Sequence, residues 1–412
     1  MLFAYNIFTH LFSLGMHLAS PFHAKARKWV KGRASWRKEL EEKLSGKRDK
    51  LIWIHSASLG EFEQGRTLIE AIKKTSPEIK ILVSFFSPSG YEVRKNFHGA
   101  DYVCYLPMDN QRNAVDFIEM VQPSLVVFIK YELWFHYLNT LNKRNIPTML
   151  ISAIVLPSQA YFGILGGFFQ SMLKMFTHIF VQDASSKGLL SSIGIEKNVS
   201  ISGDTRFDRV AELTRESFSN QAIEHFCGNE KVLIAGSTWR EDESALRYVQ
   251  SRIPELKLII APHEIHAAHL AFIQTIFSDS VLLSEYNHDA AAKVLIIDSI
   301  GMLSKIYRYA TIAYVGGGFN KAGIHNILEA AAYGKFVCWG PHYQRSAEAK
   351  HMLELSCGFS YHQKEALADK IAELLENNAE LEAKNQRAKE FVSSNQGATS
   401  RIMVFLQDSN MV

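Results

Sequence analysis

The stretch "WIHSASLGEFEQGR", residues 53–66, decides how this chain is read. It opens as a strand, because Leu51, Ile52, Trp53 and Ile54 form a short apolar run. It closes as a helix, because Thr67 to Lys73 carries apolar residues at helical spacing. Between them stand small residues around one acid: Ser56, Ala57, Ser58, Gly60 and Glu61. A strand that hands over to a helix through a short loop is the first half of a βαβ unit.

The same alternation runs outward from this point. Further β-rich runs follow as "KILVSFF", "YVCYLPM", "SLVVFIK", "TMLISA", "HIFVQD" and "VSISGD", the last ending near Asp204. Most are uninterrupted apolar stretches, as expected of parallel strands covered on both faces. Amphipathic helices such as Gln111 to Val121 lie between them. A second series begins at Lys231 with "KVLIAGSTW", "KLIIAPHE", "VLIID", "IAYVGGGF", "FVCWGPH" and "GFSY". The more polar residues 206–230 read as a linker plus a first helix. The chain from Lys364 onward reads as helical, with Met403 to Leu406 expected to pack back on the first domain. The fold expected is therefore α/β, with two doubly wound domains in tandem. The expected divisions are 1–22 for an N-terminal apolar helix, 23–205, 206–395, and 396–412 for the returning helix.

At 412 residues the chain exceeds one ordinary core, in keeping with two domains. A formal charge of +3 gives no argument for nucleic acid. Cys104, Cys227, Cys338 and Cys357 lack CxxC spacing and read as reduced, buried thiols. The first 22 residues hold no formally charged side chain, and Lys25, Arg27, Lys28, Lys31, Arg33, Arg37 and Lys38 follow with no acid among them. An apolar segment followed by basic residues supplies two signals for membrane attachment, with the rest of the chain on the cytoplasmic side. A span and an interfacial helix both fit that pattern; a buried helix with a solvated basic face is the plainer alternative.

Ligands of open parallel sheets bind beyond the carboxyl ends of the strands. The densest polar cluster at such an end is "VGGGFNKAGIHNILEAAAYGKFVCWGPHYQ", residues 315–344. Gly316, Gly317 and Gly318 follow a strand, where a backbone can approach a ligand. Asn326, Ile327, Leu328 and Glu329 read as the first turn of a helix suited to a phosphate, with Glu329 placed to accept from a ribose diol. A plain turn with a helix-end acid explains the glycines but not the surrounding His, Asn and Glu. "AGSTWRED" brings Ser237 and Thr238 to another strand end, "APHEIHAAH" brings Pro262 and His263, and "DSIGMLSKIY" brings Ile300, Gly301 and Met302. There is no GxxxxGK[ST], no HExxH and no DxD, so the sequence offers neither a P-loop nor a metal site. In the first domain Glu61 has the small neighbours that a general base needs for access, although as a lone residue it reads as a helix-end charge. "FIKYELWFHYL" places Glu132 at a second acidic strand end, and "SGDTRFDR" ends the domain with Arg206.

In their order and spacing, "HSASLGE", "ELW", "GDTRFD", "AGST", "APH", "GGGF…HNILEAAAYG" and "GPH" resemble the Kdo transferases. These attach 3-deoxy-D-manno-oct-2-ulosonic acid (Kdo) to lipid A precursors from CMP-Kdo. The resemblance runs from the N-terminal segment to about residue 350. It implies the GT-B architecture of two Rossmann-like domains facing across a cleft, inversion at the anomeric carbon, no cofactor and no metal. It implies Glu61 as the base, with Glu132 and Arg206 stabilising the transition state. It implies that CMP is held by Pro262 and His263, by Ile300 to Met302 and by Asn326 to Glu329, with the acceptor drawn from the inner membrane. The chain departs from the family pattern at His263, where arginine is common, at Arg206, where lysine is more usual, and at Phe135–His136, where Pro-Asn is frequent. The rival readings are a GT-B enzyme using a UDP-sugar, and a non-catalytic membrane-bound nucleotide-binding protein that would have no use for Glu61.

Overall fold

A computed structural model of the protein describes residues 1–45, 49–164, 166–287 and 292–412. The chain forms two compact units. One is Met1–Arg209 together with Gln396–Val412, and the other is Val210–Asn395.

The first unit begins with three helices, α1 (Leu2–Ala19), α2 (Ala24–Ala34) and α3 (Trp36–Leu44). Its strands are β1 (Leu51–Ser56), β2 (Lys80–Phe85), β3 (Tyr102–Tyr105), β4 (Leu125–Ile129), β5 (Thr148–Ala153), β6 (His178–Val181) and β7 (Val199–Ile201). Among the described residues they form one parallel sheet in the order β3-β2-β1-β4-β5-β6-β7. Every residue of β1, β4 and β5 is buried, which is why their sequences are apolar without alternation. Successive side chains still point to opposite faces. Trp53, Leu82, Val126 and Phe128 fill one core, and Ile52, Ile54, Val83 and Val127 fill the other. The helix Ala398–Asp408 adds Ile402, Met403 and Leu406 to this second core. Asp208 accepts from the Gly397 and Thr399 amides, both at 2.6 Å, and so caps that helix from a distant part of the chain.

The strand order reverses at β1. The chain steps outward from β1 to β2 and β3, then returns to place β4 on the other side. The crevice beyond the carboxyl ends of β1 and β4 is therefore the topological switch point. Helix α4 (Leu59–Thr75) starts there. A β-carbon at Gly65 would meet Ile129 Cδ1 at 2.2 Å, so this glycine lets α4 lie close on the sheet. The helix Gln111–Val121 has the span its amphipathic pattern predicts.

The second unit repeats the plan with β8 (Val232–Thr238), β9 (Lys257–Pro262), β10 (Ser280–Leu282), β11 (Val294–Ile296), β12 (Ile312–Val315), β13 (Val337–Trp339) and β14 (Gly358–Ser360). The sheet order among the described residues is β10-β11-β9-β8-β12-β13-β14, again parallel, with its switch point between β8 and β12. Strand β10 has no counterpart in the sequence reading, being three half-buried residues at the sheet edge. Residues 206–230 hold more helix than expected, in Thr205–Arg215 and Gln221–Cys227. The expected division between 205 and 206 stands slightly before the observed end of the first unit at Arg209.

Among the described residues no helix is long and apolar enough to cross a membrane. The span considered for residues 1–22 is thereby corrected. Helix α1 carries Asn6, His10 and His17, and it turns Tyr5, Thr9 and Phe12 toward the first unit. Its other face is apolar and open, with Phe3 78%, Leu11 61% and Leu18 67% exposed.

Candidate active site

In the first unit the two candidate carboxylates come from the neighbouring strands of the switch point, which pair as His55 with Phe128. Glu61 lies in the first turn of α4, three residues after the N-cap Ser58. The Ser58 hydroxyl donates to Glu61 Oε2 instead of capping the helix backbone. Glu61 Oε1 makes no hydrogen bond among the described residues, which leaves it for an incoming hydroxyl. A β-carbon on exposed Gly60 would meet only Ser58 Oγ, at 3.9 Å, so the space beside the carboxylate is open.

Strand β4 ends at Ile129, and the next residue, Lys130, has a left-handed φ of 69°. Such a conformation costs roughly 1–3 kcal/mol in a non-glycine residue and persists only where surrounding contacts hold it. Beyond it Glu132 is nearly covered, its side chain 12% exposed. Its Oε2 accepts from Trp134 Nε1 at 2.6 Å and faces His55 Nε2 at 3.2 Å. His55 is fully buried at the end of β1, and its Nδ1 lies 2.8 Å from Ser84 Oγ. Trp53 Nε1 also donates to that Ser84 oxygen, at 2.7 Å. Ser84 can in turn donate its own proton to Nδ1. In the tautomer that carries a proton on Nε2, His55 donates it to Glu132. His55 was quoted within its motif but not singled out as a site residue. The only local signal was a histidine inside an otherwise apolar strand.

Arg206 follows β7 and is paired with Asp204, Nη2 to Oδ2 at 2.6 Å and Nε to Oδ2 at 2.7 Å. Tyr131 reports how these groups converge. Burial pushes its phenol up, Arg206 pulls it back, and Glu61 and Asp204 push it up again. Glu61, Glu132 and Arg206 thus gather at one sheet end of one unit. Beneath them Glu63 pairs with Arg94 at 2.6 Å and Arg209 at 3.5 Å, tying the first turn of α4 in place.

In the second unit every expected nucleotide-site residue lies at or beyond the carboxyl end of a strand. Ser237 has φ 54° where the β8–β9 register slips between Gly236 and Thr238. Thr238 is buried and donates to Glu243 at 2.8 Å. Pro262 closes β9, and exposed His263 follows it. His263 stacks on Trp239 (centroids 4.8 Å apart) and on His325 (4.4 Å). Trp239 Nε1 donates to His325 Nε2 at 3.3 Å. Burial, and after it His263, hold the His325 imidazole down at about 4. Ile300 is 88% exposed, Gly301 has φ 93° and Met302 is the N-cap of a four-residue helix, Leu303–Ile306.

The glycines also serve the packing of the chain. A β-carbon on Gly316 would meet Ser237 O at 2.4 Å, one on Gly317 would meet His325 Cδ2 at 2.8 Å, and one on Gly318 would meet Gly340 at 2.6 Å. The chain's close approach to itself is thus one reason for these glycines. The helix expected from Asn326 is also shorter, since only Leu328–Ala332 is helical. Asn326 Oδ1 accepts from Leu328 N at 3.2 Å, and its amide donates to Glu329 at 3.1 Å. The Ile327 and Leu328 side chains are buried, so at those two positions only the backbone can serve a ligand.

The sequence reading also missed Asp242 and Glu243, fully buried in the first turn of the helix Arg240–Arg252. Asp242 accepts from Trp239 N, Gly317 N and Tyr314 Oη at 2.9, 3.0 and 2.6 Å, which knits the β8 loop to the β12 loop. Glu243 pairs with buried His269 at 2.9 Å. Burial raises both carboxyls, and these bonds oppose the rise. Among the described residues no three His, Cys, Asp or Glu are placed to hold a metal ion.

Residues 32–209 match the family described as 3-deoxy-D-manno-octulosonic-acid transferase (kdotransferase). The 3-deoxy-D-manno-octulosonic acid transferase of Rickettsia felis is 28% identical over 368 residues, 84% of this chain and 76% of that protein. The enzyme of that name from Haemophilus influenzae is 27% identical over 379 residues, 86% of each chain.

Over most of its length the chain is similar to the Kdo transferases.

It is accordingly a glycosyltransferase. A bifunctional glycosyltransferase/methyltransferase of Fusobacterium nucleatum is also similar, 27% identical over 359 residues; the alignment takes 82% of this chain but 55% of that protein, so the chain spans about half its length. Two solved structures share the fold. A UDP-GlcNAc 2-epimerase from Neisseria meningitidis bound to UDP-GlcNAc has a TM-score of 0.62 at 15% identity, covering 87% of this chain and 100% of that one. A glycosyltransferase from Rickettsia africae has a TM-score of 0.56 at 13% identity, covering 88% and 99%. With two parallel-sheet Rossmann-like domains and these neighbours, the chain has the GT-B fold.

Proposed function

We propose that this chain moves Kdo from CMP-Kdo to a hydroxyl of a lipid A precursor in lipopolysaccharide synthesis, with inversion. The observation that carries the chemistry is Glu61, a carboxylate at a topological switch point with one oxygen held by Ser58 and the other open. In this reading the acceptor oxygen bonds to the anomeric carbon of Kdo while the bond from that carbon to the CMP phosphate oxygen breaks. The hydroxyl proton passes to Glu61, and the electron pair of the broken bond leaves on the phosphate. Arg206 and Glu132 stabilise the charge that develops on the sugar and the leaving group. CMP is read by Ser237, Thr238, Pro262, His263, the loop Ile300–Met302, and Gly317, Gly318 and Asn326–Glu329. The reaction calls for no cofactor and no metal.

The site of action proposed is the cytoplasmic face of the inner membrane. The open side of α1 supports an interfacial seat, because Phe3, Ile7, Leu11, Leu14 and Leu18 recur at helical spacing and are all exposed. Lys25, Arg27, Lys28 and Lys31 are exposed on the next helix and would face anionic headgroups.

The test is transfer by the purified protein with CMP-Kdo and a lipid A precursor, with the product read by mass spectrometry and a parallel arm in excess EDTA. Product mass increased by Kdo in both arms is the expected result. Transfer from UDP-sugars but not CMP-Kdo would replace the donor, and loss in EDTA reversed by a divalent ion would overturn the metal-free reading.

A further inference from the structure

Helix α1 does more than offer an apolar face. Its inner side is bonded to the chain that presents Glu132. The helix Phe135–Lys143 begins three residues after Glu132, and its N-cap is Trp134, whose side chain makes no capping bond. The amides at its start are taken up by distant residues. Phe135 N donates to Tyr5 Oη at 3.3 Å, His136 N to Asp109 Oδ2 at 3.1 Å, and Tyr137 N to Asp109 Oδ1 at 3.2 Å. Tyr5 Oη in turn donates to Asp109 Oδ2 at 2.5 Å. Burial pushes the Asp109 carboxyl up to about 6, while these donors hold it down. One residue along α1, Asn6 Oδ1 lies 2.7 Å from His136 Nε2. Burial lowers the His136 imidazole, so the ring is neutral near pH 7 and gives its single N–H to this shorter contact. Gln111 Oε1 lies 3.3 Å from the other ring nitrogen, Nδ1.

A second route is aromatic. Phe12 of α1 packs on Phe86 at 5.8 Å, Phe86 packs on Trp134 at 4.8 Å, and Trp134 donates to Glu132. Tyr5 and Phe135 both pack on Phe168, at 5.6 and 5.2 Å. The segment 132–136 is therefore fixed from both ends by side chains of α1. His136 and Phe135 are positions where this chain departs from the family pattern, and their partners Asn6 and Tyr5 are supplied by the helix whose opposite face is open and apolar.

We propose that Tyr5 and Asn6 are positioning residues for the reaction: α1 caps the Phe135–Lys143 helix through Tyr5 and holds the His136 ring through Asn6, which fixes the segment from which the Trp134 indole holds Glu132. The proposal rests on the reading of Glu132 given above, and the experiment separates the two. Hydrogen exchange is followed on Tyr5→Phe in the full chain, with Asn6→Leu as a second variant and Leu11→Ala, on the open face of α1, as the control. The Tyr5→Phe protein should unfold cooperatively and retain CMP affinity. Its amides at 133–136 should exchange on the order of tenfold faster, the scale of one hydrogen bond to a charged group, with the sheet unaffected and the control unchanged. Unaltered exchange at 133–136 in both folded variants overturns the proposal whatever the enzyme's substrate. Single-turnover transfer is then measured in a cycle with Glu132→Gln. The expected result is a loss of about tenfold for Tyr5→Phe alone and no further loss in the Glu132→Gln background. Losses that multiply would mean that Tyr5 acts on something other than Glu132, and would overturn the positioning role. A Glu132→Gln enzyme working at the parent rate would remove the Glu132 reading instead, leaving the exchange result to decide the contact itself.

Discussion

His55 Nε2 stands 3.2 Å from Glu132 Oε2, joining the carboxyl end of β1 to the segment beyond β4. The histidine is fully buried, and its other nitrogen is fixed by Ser84. Removing it with His55→Leu leaves Glu132 with Trp134 as its only named donor. Turnover should fall about 10–100-fold, the range for a lost hydrogen bond to a charged group, with CMP affinity unchanged. His55→Gln, which can still donate, should recover part of the loss. Equal turnover for the Leu and Gln variants would mean that the ring only fills space.

Glu61→Gln keeps the size of the side chain but cannot take the hydroxyl proton. Single-turnover transfer should drop by about 10²–10⁴. A residue acting only as a helix-end charge would instead cost roughly 0.3–1 kcal/mol of stability and leave turnover near normal. Thermal unfolding and transfer measured on the same variant separate the two, and a folded Glu61→Gln enzyme at the parent rate removes the proposed base.

Glu329 accepts from Asn326 at 3.1 Å and is partly exposed. If it reads the ribose of CMP, Glu329→Ala should weaken calorimetric CMP binding by roughly 1–3 kcal/mol. Unchanged affinity would reduce it to a partner of Asn326.

The pH dependence of stability should carry the mark of His325. Its folded value of about 4 lies below the ordinary histidine value near 6.5. The folded state thus favours the neutral ring. That contribution is complete above about 6.5 and is lost as the pH falls toward 4. His325→Phe keeps a ring against His263 and removes the proton. Between pH 6.5 and 4 the melting temperature of the parent should fall more steeply than that of the variant; parallel curves would contradict the assignment.

Leu11→Glu with Leu14→Glu places two charges in the open stripe of α1. Sedimentation with anionic vesicles should weaken on the order of tenfold or more, since each leucine withdrawn from an apolar phase forfeits more than 1 kcal/mol. Undiminished sedimentation would show that this face does not meet lipid.

Much of the fold was legible because its cause is local. Strands such as Leu125–Ile129 are covered on both faces, so each reads as an unbroken apolar run whatever its partners. The edge strand Ser280–Leu282 was not legible, because its three half-buried residues are ordered by pairing with β11 and not by their own pattern. Within the site, Glu61 and Glu132 could be found because each follows a strand end, a feature visible in a short window.

The residues that hold those acids could not be found in this way. The sequence by itself determined two parallel α/β units, their strand ends and the acids placed there, since apolar periodicity and loop composition are properties of neighbours along the chain. Only the tertiary structure decided that His55 and Trp134 hold Glu132, that Asp109 and Tyr5 cap a helix far along the chain, and that Asp242 ties Trp239 to Gly317. A buried polar group must find a partner, but nothing in its local sequence specifies which distant segment supplies it; that is settled when strands separated by many residues pair and bring their ends together.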